Sequence, residues 1–278
     1  MKNNLISKMC SRVKKGLQKL TAQFSPIKLE DMEVIPFIQP VHDGRNQKLI
    51  GVEISMKLFD GQQYHCVKRC IEEIEHREGS VVINEMVISM ILNAEKELMD
   101  LSKKAPKNFF ISFTFSAEQL YCNEVFNALI SLRRKISDRC RIVIEIKESS
   151  LPEYDDELVD IFEKLRLQGV DLSLTDFGKY SSSLLYLEHA GFSSLKMDHA
   201  VALAYKGKLV NKRLVKSIVS ATQDLGMIVE ADGVESEEQY RLLIDCGVTH
   251  MQGSFFSKPT PLKGGITKDF FVSSNSDK

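Results

Sequence analysis

Seven short apolar stretches of this chain each carry, near the C-terminal end, a polar residue whose type suits chemistry. They are Gln39 in FIQPV, Glu53 in GVEIS, Glu145 in IVIEIKE, Asp176 in LSLTDFG and Lys196 in SLKMD, then Asp232 and Glu235 in VEADGVE and Gln252 in MQGSF. One buried carboxylate in such a run can simply be a satisfied core group. Seven stretches with the same departure are a pattern. Strands buried on both faces should be almost continuously apolar, so these residues interrupt the rule at one common level. Several carboxylates, one lysine and two amides suit a phosphoryl site. Carboxylate oxygens hold Mg²⁺ or Mn²⁺, and a lysine offsets phosphate charge.

Periodicity locates the strands and helices that carry these residues. Strand patterns fall at 34–41, 50–58, 108–115, 141–147, 170–177, 193–197, 227–232 and 248–252. Helical patterns lie between most of them, at 81–104, 117–136, 153–168, 181–190, 208–225 and 236–246. This alternation predicts an α/β fold, a (β/α)8 TIM-type barrel, whose strand C-termini converge on one mouth. A doubly wound sheet is the rival, but its Gly-rich first turn is missing. The first connection, around Asp43-Gly44-Arg45-Asn46, is too short for a parallel crossover. The first strand is therefore expected to run antiparallel to the second, giving a modified barrel.

With 278 residues, 43% hydrophobic and 27% charged, the chain has the composition of an ordinary globular protein. No apolar run approaches the roughly 18–20 residues of a membrane span, so no transmembrane segment is expected and a cytoplasmic location follows. Residues 1–28 hold seven basic residues and no acid. The net charge of −1 therefore leaves the remainder acidic, which argues against nucleic acid as a partner. Within that leader Leu5, Met9, Val13, Leu17 and Leu20 recur at helical spacing. It reads as a membrane-surface or partner-binding amphipathic helix, or as a disordered or barrel-packed basic segment. The domain expectation is a leader at 1–28 and a barrel domain at 29–278. Six cysteines are scattered without CxxC pairs. His65, Cys66 and Cys70 lie close together but lack a partner ligand pair for zinc, so reduced thiols are the preferred reading.

The order QPV, GVEIS, FTFS, IEIKES, LTDFG, LKMD, ADGVE and QGSFFSKPTP resembles the EAL-domain family of cyclic di-GMP phosphodiesterases over about residues 34–262. The run from LVKSIVSATQDLG to QGSFFSKP is the most specific part. The resemblance implies a modified barrel with one antiparallel first strand. It also implies an activity, opening cyclic di-GMP to linear pGpG with two Mg²⁺ or Mn²⁺ ions and an attacking water.

Residue by residue, it implies metal ligands at Glu53, Glu145 and Asp176, and catalytic roles for Lys196 near the attacking water and Glu235 in the EGVE-type loop. Gln39, Lys57 and Gln252 fall at nucleotide-binding positions, Lys57 replacing an arginine without its bidentate fork. The departures gather at the metals. Thr114 stands where the family has asparagine, and Thr175 where it has the first, bridging aspartate of DDFG. Ser55, Lys147 and Tyr180-Ser181 also differ from the pattern. A neutral hydroxyl cannot supply the negative charge that holds two hard cations close together.

The resemblance therefore implies an EAL-like protein of bacterial cyclic di-GMP signalling with impaired catalysis and Mg²⁺ or Mn²⁺ held weakly if at all. It would act as a regulator, through nucleotide sensing or contact with a regulatory protein. The alternative is an active cyclic-guanylate-specific phosphodiesterase using altered coordination. Homodimerisation through the barrel edge, including the loop after DFG, is a further implication.

Overall fold

A computed structural model describes residues 32–66, 80–178, 184–266 and 270–271. The basic leader, Cys70 and the pair Tyr180-Ser181 lie outside these residues, as does the loop assigned to dimerisation.

The strands, in chain order, are β1 (Glu33–Asp43), β2 (Leu49–Phe59), β3 (Tyr64–Cys66), β4 (Phe109–Phe115), β5 (Cys140–Lys147), β6 (Val170–Phe177), β7 (Ser194–Met197), β8 (Ala204–Tyr205), β9 (Lys208–Leu209), β10 (Ile228–Ala231), β11 (His250–Met251) and β12 (Thr260–Pro261). Eight of them close a ring in the order β1-β11-β10-β7-β6-β5-β4-β2, with β2 pairing back onto β1. β1 is antiparallel to both β2 and β11, and the pairings from β2 round to β11 are parallel. The expected modified barrel is the observed one. All eight expected strands are present, and β3, β8, β9 and β12 are additions.

β5 shows why the sequence folds this way. In CRIVIEIK the side chains alternate across the sheet. Ile142, Ile144 and Ile146 point outward and are fully buried against the helical layer. Fully burying each such side chain contributes about 1.5–3 kcal/mol. Val143 points inward, where it joins Val41 and Phe110 in a small plug closed by Ile50. Gly51 makes room for that plug, since a Cβ there would lie 2.4 Å from the Phe110 ring. Above the plug the inward positions become polar, and there the site begins.

The helical layer includes Ser80–Lys104, Asn123–Lys135, Asp156–Leu167, Leu184–His189, Lys212–Asp224 and Glu237–Ile244. The segment expected as one helix at 117–136 is two, Ala117–Leu120 and Asn123–Lys135, parted at Tyr121 and Cys122. Residues 208–211, expected to open a helix, instead belong largely to the β8–β9 hairpin, whose turn holds Lys206 and Gly207 at positive φ. No helix among the described residues is long and apolar enough to cross a membrane.

Candidate functional site

Strand register brings the polar residues together. Glu53 on β2 and Thr114 on β4 face the barrel axis, and Thr114 pairs in register with Glu145 on β5. Lys196 on β7 pairs with Glu230 on β10. Glu53, Thr114, Glu145, Lys147, Thr175, Asp176, Lys196 and Asp232 line one cavity of about 140 Å³ at the barrel mouth.

At its centre stands the Lys196 ammonium. Its Nζ lies 2.7 Å from Glu53 Oε2, 3.1 Å from Glu145 Oε2 and 3.3 Å from Glu145 Oε1. Glu230 Oε1 is 3.2 Å away, close enough for charge attraction, although no hydrogen bond is directed at that oxygen. Thr114 Oγ1 lies 3.1 Å from Glu53 and 3.2 Å from Glu145. A hydroxyl has one proton, so it can donate to only one of them at a time.

These neighbours set the protonation states. For Lys196, burial favours the neutral amine, but the charges of Glu145, Glu230, Glu53 and Asp232 outweigh it and hold the pKa well above the ordinary lysine value. Burial also pushes Glu53 up, yet the Lys196 charge, with hydrogen bonding from Lys196 and Thr114, brings it below the usual range. Glu145 comes out raised, by burial first and then by the Glu53 charge, against the pull of Lys196. Glu230 is pushed up to about 8, chiefly by burial, with Lys196 opposing and the Glu145 and Glu53 charges adding. Burial likewise raises Asp232.

Asp176 reaches the mouth from a backbone at φ 59°, a left-handed conformation that aspartate tolerates better than most residues. The turn behind it is pinned by buried Glu148, whose Oε2 accepts the Gly178 N–H at 3.0 Å. Gln252 is fully buried, and neither amide atom meets hydrogen-bond geometry with a described protein group. It follows β11 directly. A Cβ on the next residue, Gly253, would lie 2.1 Å from the Val234 carbonyl, so only glycine lets these two backbones meet.

Among the described residues no group of three or more His, Cys, Asp or Glu side chains is arranged to hold a metal ion. Glu53 and Glu145 are engaged by Lys196 and Thr114, and Thr175 brings no charge to the mouth. In this arrangement the residues do not fit two hard cations, which would have to displace the ammonium first.

The remaining expected residues are spread more widely. Gln39 sits opposite Glu53 in the β1–β2 ladder and donates from Nε2 to the Ser257 carbonyl at 3.0 Å. Lys57 lies four residues beyond Glu53, its Nζ 4.3 Å from the centre of the Phe37 ring, and does not line the cavity. Glu235 is exposed and does not line it either. Sequence reasoning gave Glu230 no notice and Asp232 no role. Alternation carries the signal for both, since Ile228, Glu230 and Asp232 occupy every second position and so share the inward face. His65 bonds to Asp60 at 2.6 Å.

A model of the EAL domain matches residues 23–259. Probable cyclic di-GMP phosphodiesterase PdeG of Escherichia coli is 25% identical over 228 residues, covering 82% of this chain and 45% of that protein. Cyclic di-GMP phosphodiesterase PdeL of the same organism is 26% identical over 243 residues, covering 87% of this chain and 67% of that protein. Among solved structures, the PaMucR phosphodiesterase in complex with c-di-GMP superposes with a TM-score of 0.74 at 22% identity, over 84% of this chain and 94% of that one. At that identity the likeness shows the fold alone. The chain spans less than half the length of PdeG and about two thirds that of PdeL.

Proposed function

Because this chain belongs to the EAL domain family, we propose that it serves cyclic di-GMP signalling as a regulator with impaired hydrolysis. The observation that supports this reading is a neutral hydroxyl at two ligand positions, Thr114 Oγ1 lying 3.1 Å from Glu53 and 3.2 Å from Glu145, and Thr175 lining the same cavity. Glu53 and Glu145 are two of the carboxylates that the family resemblance makes metal ligands. Two-metal chemistry needs both ions, one to activate water and one to stabilise the leaving oxygen. With Thr114 and Thr175 at the other two positions, metal binding is weak and no measurable turnover is expected.

The nucleotide itself has partners that do not depend on a metal. The Gln252 amide is buried with donor and acceptor both unmatched, a state that costs about 1–3 kcal/mol unless a ligand or water satisfies it. A guanine edge or a bridging water would do so. Gln39 and Lys57 supply an amide and a cation on the neighbouring β1–β2 ladder. The regulator would then act by nucleotide sensing, by contact with a regulatory protein, or by both.

A second reading, an active phosphodiesterase, is favoured by one observation. Glu53, Glu145, Asp176, Lys196 and Asp232 all line the same cavity, and displacement of the ammonium would leave four carboxylates facing one another. Calorimetry of the full chain with cyclic di-GMP, with and without Mn²⁺, separates the two. Micromolar binding that is indifferent to Mn²⁺ is the expected result. Binding that appears only with Mn²⁺ favours the second reading.

A further inference from the structure

Lys206, Lys208, Lys212, Arg213 and Lys216 are all exposed on the segment that follows β7. No aspartate or glutamate occurs from residue 199 to 223, and none of the five cations forms an ion pair with a described residue. The body of the chain is acidic, so the concentration is not a by-product of composition. Lys212 and Arg213 even occupy the first turn of the helix Lys212–Asp224, with no acid there. The helix dipole favours the opposite charge at that end, so local helix stability does not explain these residues.

Apolar side chains are set among the cations. In the β8–β9 hairpin Tyr205 pairs with Lys208, and the Val210 N–H donates to the Leu203 carbonyl at 2.9 Å. The same alternation places Leu203, Tyr205, Lys208 and Val210 on one face, while Leu209 is buried beneath. Leu203 is 48% exposed, Tyr205 65%, Val210 57% and Leu214 44%, a local cluster of a kind that marks contact surfaces. Beside them Val210, Asn211, Lys212, Arg213 and Leu214 line an open depression of about 440 Å³. The hairpin joins β7 to its helix, so this face stands on the rim of the same barrel end as the cavity.

We propose that this face docks an acidic protein surface bearing apolar side chains. The charge selects the occupant. A second copy meeting it across a two-fold axis would set the same five cations against themselves, which is repulsive. The chain's own leader carries the same sign. A flat anionic bilayer would leave the depression unfilled, and a nucleic acid backbone would leave Leu203, Val210 and Leu214 bare. A protein with carboxylates around a projecting apolar side chain satisfies every part. The inference extends the regulator reading by locating a surface for a regulatory partner.

The test uses the full chain and a labelled 20-residue peptide in which glutamates alternate with leucines at helical spacing, followed by fluorescence anisotropy. Two variant pairs are compared, Lys208→Glu with Arg213→Glu and Leu203→Ser with Val210→Ser. A control pair, Arg134→Glu with Lys164→Glu, alters the basic groove between the helices Asn123–Lys135 and Asp156–Leu167. All six positions are exposed; circular dichroism verifies folding. Saturable, salt-sensitive binding that weakens at least tenfold in both test pairs and not in the control is expected. Equal binding by all variants overturns the proposal. So does tighter binding to 4:1 phosphatidylcholine–phosphatidylglycerol vesicles or to a 20-nucleotide RNA, or a dimer in light scattering that the Leu203 pair abolishes. None of these readouts involves nucleotide or metal, so their failure is separate from failure of the site reading.

Discussion

Replacing Glu230 with glutamine changes one proton and almost no volume, and its effect is set by the site's electrostatics. The wild-type carboxyl is held protonated up to about pH 8, against an ordinary value of 4.5. Between those pH values the folded protein keeps a proton that the unfolded chain has lost, so wild-type stability falls as pH rises through the window. Each pKa unit is worth 1.36 kcal/mol, which bounds the whole effect at about 5 kcal/mol. Relaxation around Lys196 and Glu145 reduces it, and about 1–3 kcal/mol is the expected part. Glutamine does not titrate. The variant should match wild type near pH 5 and exceed it by that amount at pH 8.5. Urea unfolding at the two pH values measures the difference directly, with Tm as a second readout at about 2–4 °C per kcal/mol. Parallel stability profiles for the two proteins would refute the reasoning, because Glu230 would then titrate normally or lie away from the ammonium.

Other expectations follow from neighbouring contacts. Lys196→Met removes the counter-charge that Glu53 and Glu145 share beside the protonated Glu230 and should cost about 3–5 kcal/mol at neutral pH. The loss should shrink toward pH 5 as the carboxyls protonate, and a pH-independent loss in urea unfolding would contradict the ion cluster. Thr175→Asp combined with Thr114→Asn should raise Mn²⁺ affinity at least tenfold by calorimetry; an unchanged affinity would shift the blame to Lys147 or to the turn after Gly178. Gly51→Ala drives a methyl into the Phe110 ring at 2.4–2.5 Å and should cost about 1–3 kcal/mol by overpacking. A neutral result in thermal unfolding would mean that the plug can shift.

The barrel was legible because its signals are local. Alternation in CRIVIEIK and its counterparts marks strands, and the short link around Gly44 forbids a parallel crossover between β1 and β2. The split at Tyr121–Cys122 was not legible, since both halves share an apolar helical face and only the extended backbone of Cys122 divides them. The β8–β9 hairpin hid within an expected helix at 208–225 because LVNKRLVKS is amphipathic at helical spacing. The reversal at Lys206-Gly207, just upstream, is what makes Lys208 and Leu209 pair backward.

At the site, Glu53, Glu145, Asp176 and Lys196 were found from strand-end position and motif together, and they line one cavity. Glu235 was placed with them on the same two grounds. Its loop carries the side chain into solvent while Asp232, three residues earlier, faces the mouth. Glu230 escaped notice because a motif directs attention to the strand end, whereas the pleat extends the polar face one layer deeper. Lys57 illustrates a limit of another kind. Sequence places it on the right strand and face, but not at the height along the strand where the cavity lies.

Turnover is measured most directly by chromatographic detection of pGpG from cyclic di-GMP incubated with the purified full chain and excess Mn²⁺. Intact cyclic di-GMP and no pGpG above the protein-free control are expected, with the Glu53→Ala variant indistinguishable from wild type. Sustained pGpG production that Glu53→Ala abolishes would contradict this expectation and establish the site as a working phosphodiesterase.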